Sequence, residues 1–170
     1  SQGSRAINNA MIEALPRLRE NGAKLRIAHQ TGEADFEVVK AAYSENEWEN
    51  ADIRPYISNM VDAFADADVI ISRAGATTCA EVTAAGKAAI MIPLPTAADD
   101  HQRKNAEALA RNGAARMILQ KDLSGEALVN ELACLETDKE GLRTMGLAAR
   151  KMARPDAAAA TVDLIESIRK

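Results

Sequence analysis

Apolar residues fall into short runs that alternate with segments of helical periodicity. The runs that predict strands span residues 24–29, 53–57, 69–72, 88–94 and 115–119. Helical patterns lie between them, at residues 5–20, 35–43, 60–65, 77–85 and 101–112, and three more follow at 124–135, 139–152 and 156–169. Continuous apolar strands that alternate with helices predict an α/β fold, a Rossmann-like parallel sheet with helices on both faces.

The order of elements is unusual at its start, because a helix comes first and no strand precedes it. A Rossmann-like half normally begins with a strand that lies in the middle of the sheet. We therefore expect the first strand to be missing and these 170 residues to be a fragment of a larger protein. The fragment itself is expected to form one domain, residues 1–170, with the helices of residues 124–170 packed on it.

Composition narrows the classes of function. Hydrophobic residues make up 47% and aromatic residues only 3%, which favours helices on a buried sheet over a β-sandwich. The formal net charge of −4 gives no basic footprint for nucleic acid. No apolar run approaches the roughly 18 residues of a membrane-spanning helix. Cys79 and Cys134 are read as small buried side chains in a reducing cytoplasm.

The stretch ISRAGATTCAEVTAAG, residues 71–86, carries the clearest candidate chemistry. A buried strand breaks at a turn that contains Gly75, and a helix follows from about Thr77 to Gly86. The free N–H groups and the dipole at such a helix start attract anions. We interpret the turn as holding the phosphates of a nucleotide and Glu81 as holding its ribose. The alternative is an ordinary strand-to-helix turn followed by a solvated glutamate.

Several other polar residues allow two interpretations. His29 ends a strand, so it is either a hydrogen-bonded structural histidine or a group on the ligand side of the sheet. Arg73 would point at the diphosphate or pair with a nearby acid. Asp99 and Asp100 precede a helix and are read as its cap rather than as a metal pair. The last helix, residues 157–168, would either pack into the core or dock against another half of the protein.

Five sequence blocks occur in an order and spacing that resemble a known family. They are SQGSRAINN at residues 1–9, HQTG at 29–32, YISNM at 56–60, ISRAGATTCAEVTAAGKAAIMIPLP at 71–95, and DHQ at 100–102 followed by Asn105. Together they look like the C-terminal, donor-binding domain of the family 28 glycosyltransferases. The resemblance is to the branch that transfers N-acetylglucosamine to undecaprenyl-pyrophosphoryl-muramoyl-pentapeptide in peptidoglycan synthesis, and it covers nearly the whole chain.

The resemblance implies a GT-B type enzyme, in which two Rossmann-like halves face each other across a cleft. This chain would be the C-terminal half, which binds UDP-N-acetylglucosamine. The N-terminal half would hold the lipid-linked acceptor, the surface that contacts the inner membrane, and the catalytic base. The resemblance therefore implies no catalytic residue, metal or other cofactor in this chain, which alone should be inactive. The whole protein would be cytoplasmic, peripheral on the inner face of the bacterial inner membrane.

The resemblance also implies a set of substrate-binding residues. Ser1 would lie near the diphosphate, and the backbone of Ile57 would read the uracil edge. The helix start would contact the phosphates through Ala76, Thr77 and Thr78, in a substrate-binding block that also takes in Cys79, Ala80 and the ribose-binding Glu81. Gln102 would hold hydroxyls of the N-acetylglucosamine ring, with His101 and Asn105 beside it.

Two alternatives of other classes remain open at this point. The chain could be the donor-binding domain or subunit of another UDP-sugar glycosyltransferase, working with a separate acceptor-binding partner. It could also be a non-catalytic nucleotide-binding module, in which case it should prefer a nucleotide other than UDP.

Overall fold

The computed structural model describes residues 4–168. Its helices are α1 Arg5–Glu20, α2 Phe36–Glu45, α3 Met60–Asp66, α4 Ala76–Ala85, α5 His101–Arg111, α6 Gly125–Thr137, α7 Lys139–Met152 and α8 Ala157–Ile168. Its strands are β1 Ala28–Gln30, β2 Asp52–Arg54, β3 Val69–Ser72, β4 Ala88–Met91 and β5 Arg116–Met117. The predicted order of elements is confirmed, although most strands are shorter than the apolar runs that predicted them.

All the pairings between these strands are parallel, as predicted. β1 pairs with β2, and a second sheet has the order β3–β4–β5. The register sets Gln30 beside Arg54 in the first sheet and Ser72 beside Met91 in the second. Within residues 4–168 no hydrogen-bonded strand pairing joins the two sheets, so the described strands do not form one continuous sheet. A cleft of about 1690 Å³ is lined by residues of β1 and β3, of α1 and of α4.

The core lies on both faces of the second sheet. Ile90 and Ile92 belong to a cluster that includes Leu15 of α1 and Leu128 of α6. Ala89 and Met91, which alternate with them along β4 and its end, belong to a second cluster. The second cluster also contains Val82 of α4, Ala106 and Leu109 of α5, and Ala149 of α7. Because successive strand residues point to opposite faces, β4 is a central strand covered on both sides, as its apolar run predicts.

Two glycines let the C-terminal helices approach the rest of the domain closely. A Cβ on Gly125 of α6 would lie 2.6 Å from the backbone carbon of Glu13 in α1. A Cβ on Gly146 of α7 would lie 2.6 Å from the carbonyl oxygen of Gly86. Gly86 itself ends α4 in the left-handed conformation, with φ 66°, as the sequence predicts. Helices α6 and α7 thus pack directly on α1 and α4.

Helix α8 is different, because none of its residues is buried. Its exposed apolar side chains include Leu164, Ile165 and Ile168. Packing of this helix into the core, one of the two interpretations of its sequence, is therefore wrong. No helix within residues 4–168 combines the length and apolar character needed to cross a membrane.

The two cysteines occupy different environments. Cys79 in α4 is half-buried, and desolvation raises the pKa of its thiol. Cys134 in α6 is exposed, so the prediction that it is a small buried side chain is wrong. Neither is in a disulfide. Helix α6 places its apolar side toward α1, and Cys134 falls outside that side while its neighbour Leu135 is buried.

Candidate functional site

The predicted site residues gather at the carboxyl ends of the strands. Parallel strands end at the same edge of their sheet, and in open α/β sheets ligands bind at that edge. Helix α4 begins four residues after Ser72, the last residue of β3. Helix α5 begins after the loop that follows β4, and Ile57 lies three residues beyond the end of β2. Ile57, Thr78 and Glu81 all line the cleft.

The start of α4 is open. Gly75 is its N-cap, with φ −65° and ψ 152°, and the first helical hydrogen bond runs from the N–H of Cys79 to the Gly75 oxygen at 2.9 Å. No side chain of residues 4–168 caps this end. A Cβ placed on Gly75 would meet no described atom within 4 Å. The N–H groups of the first turn, at Ala76 and Thr77, therefore face space in which an anion could lie.

Glu81 lies on α4, one turn beyond Thr77. Its side chain is exposed and lines the cleft. Within residues 4–168 it makes neither an ion pair nor a side-chain hydrogen bond, unlike Glu131, which pairs with Arg116 at 2.5 Å. A carboxylate with free oxygens can accept hydrogen bonds from a pair of hydroxyl groups. This arrangement fits the predicted ribose contact, which stays a prediction.

Two amide side chains of α5 tie together the loops that follow β3 and β4. The Oε1 atom of Gln102 accepts a hydrogen bond from the N–H of Leu94 at 3.0 Å. The Nδ2 atom of Asn105 donates to the carbonyl oxygen of Ala74 at 3.0 Å. Gln102 therefore keeps its Nε2 group, and Asn105 its Oδ1 atom, for a ligand. Both residues were predicted as sugar-binding, but their bonds to the backbone were not.

The loop before α5 contains two left-handed aspartates. Asp99 has φ 49° and Asp100 has φ 55°, and Asp100 makes no side-chain capping bond to the helix. The prediction that these carboxylates cap α5 is therefore wrong. His101 instead bonds through Nδ1 to the carbonyl oxygen of Ala98 at 2.7 Å. The His101 ring is thereby held against this loop.

Arg73 follows neither of its two interpretations. Its Nη1 atom donates to the carbonyl oxygens of Ile92 and Pro93, at 3.1 and 3.3 Å. Its Nη2 atom donates to Oε1 of Gln120 at 2.6 Å. Burial lowers the pKa of this guanidinium. Arg73 therefore joins the end of β4 to the connection after β5, and within residues 4–168 it has no acidic partner.

His29 belongs to a hydrogen-bonded network that holds α1 against β1. Its Nε2 atom lies 3.0 Å from Oδ1 of Asn8, and its Nδ1 atom lies 3.1 Å from the Tyr43 hydroxyl. The Nδ2 group of Asn8 donates to the oxygen of Thr31 and to Oδ2 of Asp35, both at 2.9 Å. Because both Asn8 hydrogens are committed, its Oδ1 must accept from His29 Nε2–H, which leaves Nδ1 to accept from Tyr43.

The pKa of His29 agrees with that neutral form. Burial lowers it from 6.5 to about 4. The hydrogen-bonded, structural interpretation of His29 is thus confirmed, although the residue also lines the cleft. Asn8 is 2% exposed, although asparagine in a helix is normally a surface residue. In the sequence, the only indication of this network was the position of His29 at the end of a predicted strand.

Gln30 is the residue at this edge that the sequence analysis did not assign. It is the last residue of β1, and its Oε1 accepts a hydrogen bond from the N–H of Ile57 at 2.9 Å. The N–H predicted to read uracil is therefore occupied by a side chain of the protein. A polar residue at the carboxyl end of a strand was the available signal. The predicted diphosphate contact at Ser1 lies outside the described residues.

The described residues offer no cluster suited to a metal ion. Among residues 4–168, no three or more His, Cys, Asp or Glu side chains converge in that way. The absence of a required metal stays a prediction, and so does the absence of a cofactor. The start of α4, which no side chain of residues 4–168 caps, instead places free N–H groups and the positive end of a helix dipole at this edge.

Comparisons with known proteins agree with this architecture. Residues 1–161 match the family model described as glycosyltransferase family 28 C-terminal domain. A Geobacter sulfurreducens protein named UDP-N-acetylglucosamine–N-acetylmuramyl-(pentapeptide) pyrophosphoryl-undecaprenol N-acetylglucosamine transferase is 51% identical over 100% of this chain and 47% of its own length. The protein of the same name from Solibacter usitatus is 40% identical over 99% of this chain and 45% of its own length.

Solved structures give the same result at the level of the fold. The crystal structure of Acinetobacter baumannii MurG matches with a TM-score of 0.86 and 39% identity, over 98% of this chain and 47% of that one. A putative UDP-N-acetylglucosamine 2-epimerase from Listeria monocytogenes matches with a TM-score of 0.71 at 15% identity, over 96% of this chain and 41% of that one, which shows the fold alone. The chain thus spans about half the length of the relatives it matches.

Proposed function

The chain belongs to the family of glycosyltransferase family 28 C-terminal domains, and from this membership we propose that it binds the donor UDP-N-acetylglucosamine. The proposed parent activity is transfer of N-acetylglucosamine to lipid-linked muramoyl-pentapeptide in peptidoglycan synthesis. The name shared by relatives at 40% to 51% identity supports this activity. The single structural observation that carries the donor role is the open, uncapped start of α4 beside an unpaired Glu81.

The diphosphate is proposed to lie in front of α4. The N–H groups of Ala76, Thr77 and Thr78 would donate to phosphate oxygens, and the helix dipole adds about half a positive charge there. A glycine at position 75 helps, because the backbone can be approached without a side chain in the way. Glu81 would then accept hydrogen bonds from the ribose hydroxyls, since ribose adjoins the diphosphate in the nucleotide.

The sugar is proposed to lie toward α5. Gln102 has a free Nε2 group and Asn105 a free Oδ1 atom, because each has its other amide atom bonded to the backbone. An amide held in this way is already oriented before the substrate arrives, which lowers the entropy lost on binding. His101, held by the oxygen of Ala98, would border the same sugar.

The reaction is proposed to be an inverting transfer. An acceptor hydroxyl attacks the anomeric carbon, the bond to the diphosphate breaks, and UDP leaves with the negative charge. Donors already aimed at that charge, here the N–H groups at the start of α4, stabilise it without reorganising. The acceptor, the base that takes its proton, and the contact with the cytoplasmic face of the membrane are proposed to belong to another half of the protein.

Titration calorimetry with UDP, UDP-N-acetylglucosamine, UDP-glucose and ADP tests the proposal. UDP and UDP-N-acetylglucosamine should bind and ADP should not. Glu81→Ala should weaken UDP binding by about 1–3 kcal/mol, the range for a hydrogen bond to a charged group. Glu126→Ala is the matched control, because Glu126 is an exposed glutamate of α6 that pairs with Arg17 at 3.1 Å.

Three results would each contradict part of this proposal. Preference for ADP would indicate a nucleotide-binding module of another kind. Equal or tighter binding of UDP-glucose would move the donor to another UDP-sugar. An unchanged affinity for UDP in Glu81→Ala would remove this carboxylate from the site.

A further inference from the structure

Gln30 and Ile57 bring two segments of the cleft together. Gln30 ends β1 and lies beside Arg54 in the parallel register, and the chain continues from Arg54 through Pro55 and Tyr56 to Ile57. The Gln30 side chain reaches from the end of β1 to the segment that follows β2, where its Oε1 accepts a hydrogen bond from Ile57 N–H at 2.9 Å. Both residues are half-buried and line the cleft.

The atom that Gln30 presents is a chemical equivalent of a base carbonyl. The carboxamide C=O of glutamine and the imide C=O of uracil are both planar sp² acceptors. A backbone amide has one hydrogen. The N–H of Ile57 can therefore make a well-aligned bond either to the Gln30 carbonyl or to a uracil carbonyl, but not to both at once. In the structure that hydrogen is directed to Gln30.

We propose that Gln30 is a self-ligand of the base-binding position, whose carboxamide oxygen holds Ile57 N–H until a uracil carbonyl displaces it. The inference rests on the proposed function, because it takes the donor to be a uridine nucleotide and places its base at Ile57, as the family resemblance implies. Without a ligand the contact satisfies a half-buried N–H that would otherwise be costly to leave unpaired. On binding, one neutral hydrogen bond replaces another, and the Gln30 side chain turns aside.

The exchange predicts that Gln30 lowers the apparent affinity for UDP. Gln30→Met keeps the length of the side chain and removes the carbonyl acceptor, so UDP should bind about 2- to 10-fold more tightly, the range of one neutral hydrogen bond. Gln30→Glu replaces the amide by a carboxylate, a stronger acceptor for N–H that also repels the diphosphate. That variant should bind UDP more weakly than the native chain.

Nuclear magnetic resonance of the native chain follows the displacement without any mutation. As UDP is added, the side-chain amide resonances of Gln30 and the backbone amide resonance of Ile57 should move together. In the ligand-free chain, exchange of the Ile57 amide hydrogen should be slow and should accelerate in Gln30→Met. Gln120→Met is the control, because Gln120 also bonds through Oε1 but to Arg73. It should leave Ile57 unchanged.

The outcomes separate this inference from the proposed function. If UDP binds the native chain but Gln30→Met binds it equally or more weakly, Gln30 is not a competitor and the inference is overturned, while the donor site stands. The same holds if UDP binds without moving the Gln30 side-chain resonances. If UDP binds neither the native chain nor Gln30→Met, with both folded by circular dichroism, the proposed function fails and the inference fails with it.

Discussion

Acidification should destabilise this protein through His29. The imidazole is held neutral between the amide oxygen of Asn8 and the hydroxyl of Tyr43, and burial lowers its pKa from 6.5 to about 4. A proton on Nδ1 would turn that acceptor into a second donor. The Tyr43 hydroxyl would then have to reverse its bond inside a largely buried site.

The sign and size of the effect follow from linkage. Because the pKa of His29 is lower in the folded chain, the unfolded chain binds more protons between about pH 4 and pH 6.5. The contribution of neutral His29 to the free energy of unfolding is therefore complete above the pKa of the unfolded chain, and it is lost as the pH falls toward the folded pKa. At about 1.4 kcal/mol for each pH unit of displacement, about 2 kcal/mol is lost by pH 5 and about 3 kcal/mol at pH 4 and below.

Urea unfolding at pH 8, 6 and 5 measures this loss. His29→Gln removes the titrating ring but keeps an amide N–H that can donate to Asn8. Between pH 8 and pH 5, the free energy of unfolding of the native chain should fall by about 2 kcal/mol more than that of His29→Gln. His101→Gln removes the other imidazole of the chain and is the control. Parallel curves for the native chain and His29→Gln would refute the role given to burial of this ring.

Four further outcomes test the site and the packing around it. Gly75→Ala should cost no more than about 1 kcal/mol of stability as a poorer N-cap, yet weaken UDP binding about tenfold, because its methyl enters the open space before α4. Gly146→Ala should lower the free energy of unfolding in urea by about 1–3 kcal/mol, because its methyl group would clash with the Gly86 oxygen. Its affinity for UDP in calorimetry should change little. Asn105→Ala should weaken UDP-N-acetylglucosamine more than UDP. Product assays should detect no transfer of N-acetylglucosamine by the 170-residue chain, and any transfer would place the base within it.

The parts of the fold that the sequence predicted are those governed by local pattern. The run at residues 88–94 has no polar side chain, so only a strand covered on both faces could hold it, and β4 is buried throughout. Gly86 ended α4 as predicted, because the left-handed conformation suits glycine. The pairing of β1 with β2, and of β4 with β3 and β5, was beyond this reasoning, since apolar periodicity specifies faces and not which strand edges meet.

The polar edge was predicted only in part, for a related reason. Position in the sequence can place Gln30 at the carboxyl end of a strand, and Gln102 and Asn105 in the helix that follows the end of another strand. Sequence position does not show whether the oxygen or the NH2 group of each side-chain amide is already bonded to the backbone. The atoms left over are those that the amide can offer to a ligand. Glutamine and asparagine carry both donors and an acceptor, so residue type alone leaves every pairing open.

The structure narrows these pairings at Gln102 and Asn105. Leu94 N–H donates to Oε1 of Gln102, which leaves the Nε2 hydrogens of this side chain to donate to a hydroxyl group. Ala74 takes a hydrogen of Asn105, so a hydroxyl next to Oδ1 can donate. A hydroxyl group can accept from one amide and donate to the other, so a hydroxyl-bearing group can match both residues. The pair is therefore suited to a neutral, hydroxyl-bearing ring, and Gln102→Glu, which turns the donor into an acceptor, should lose that match.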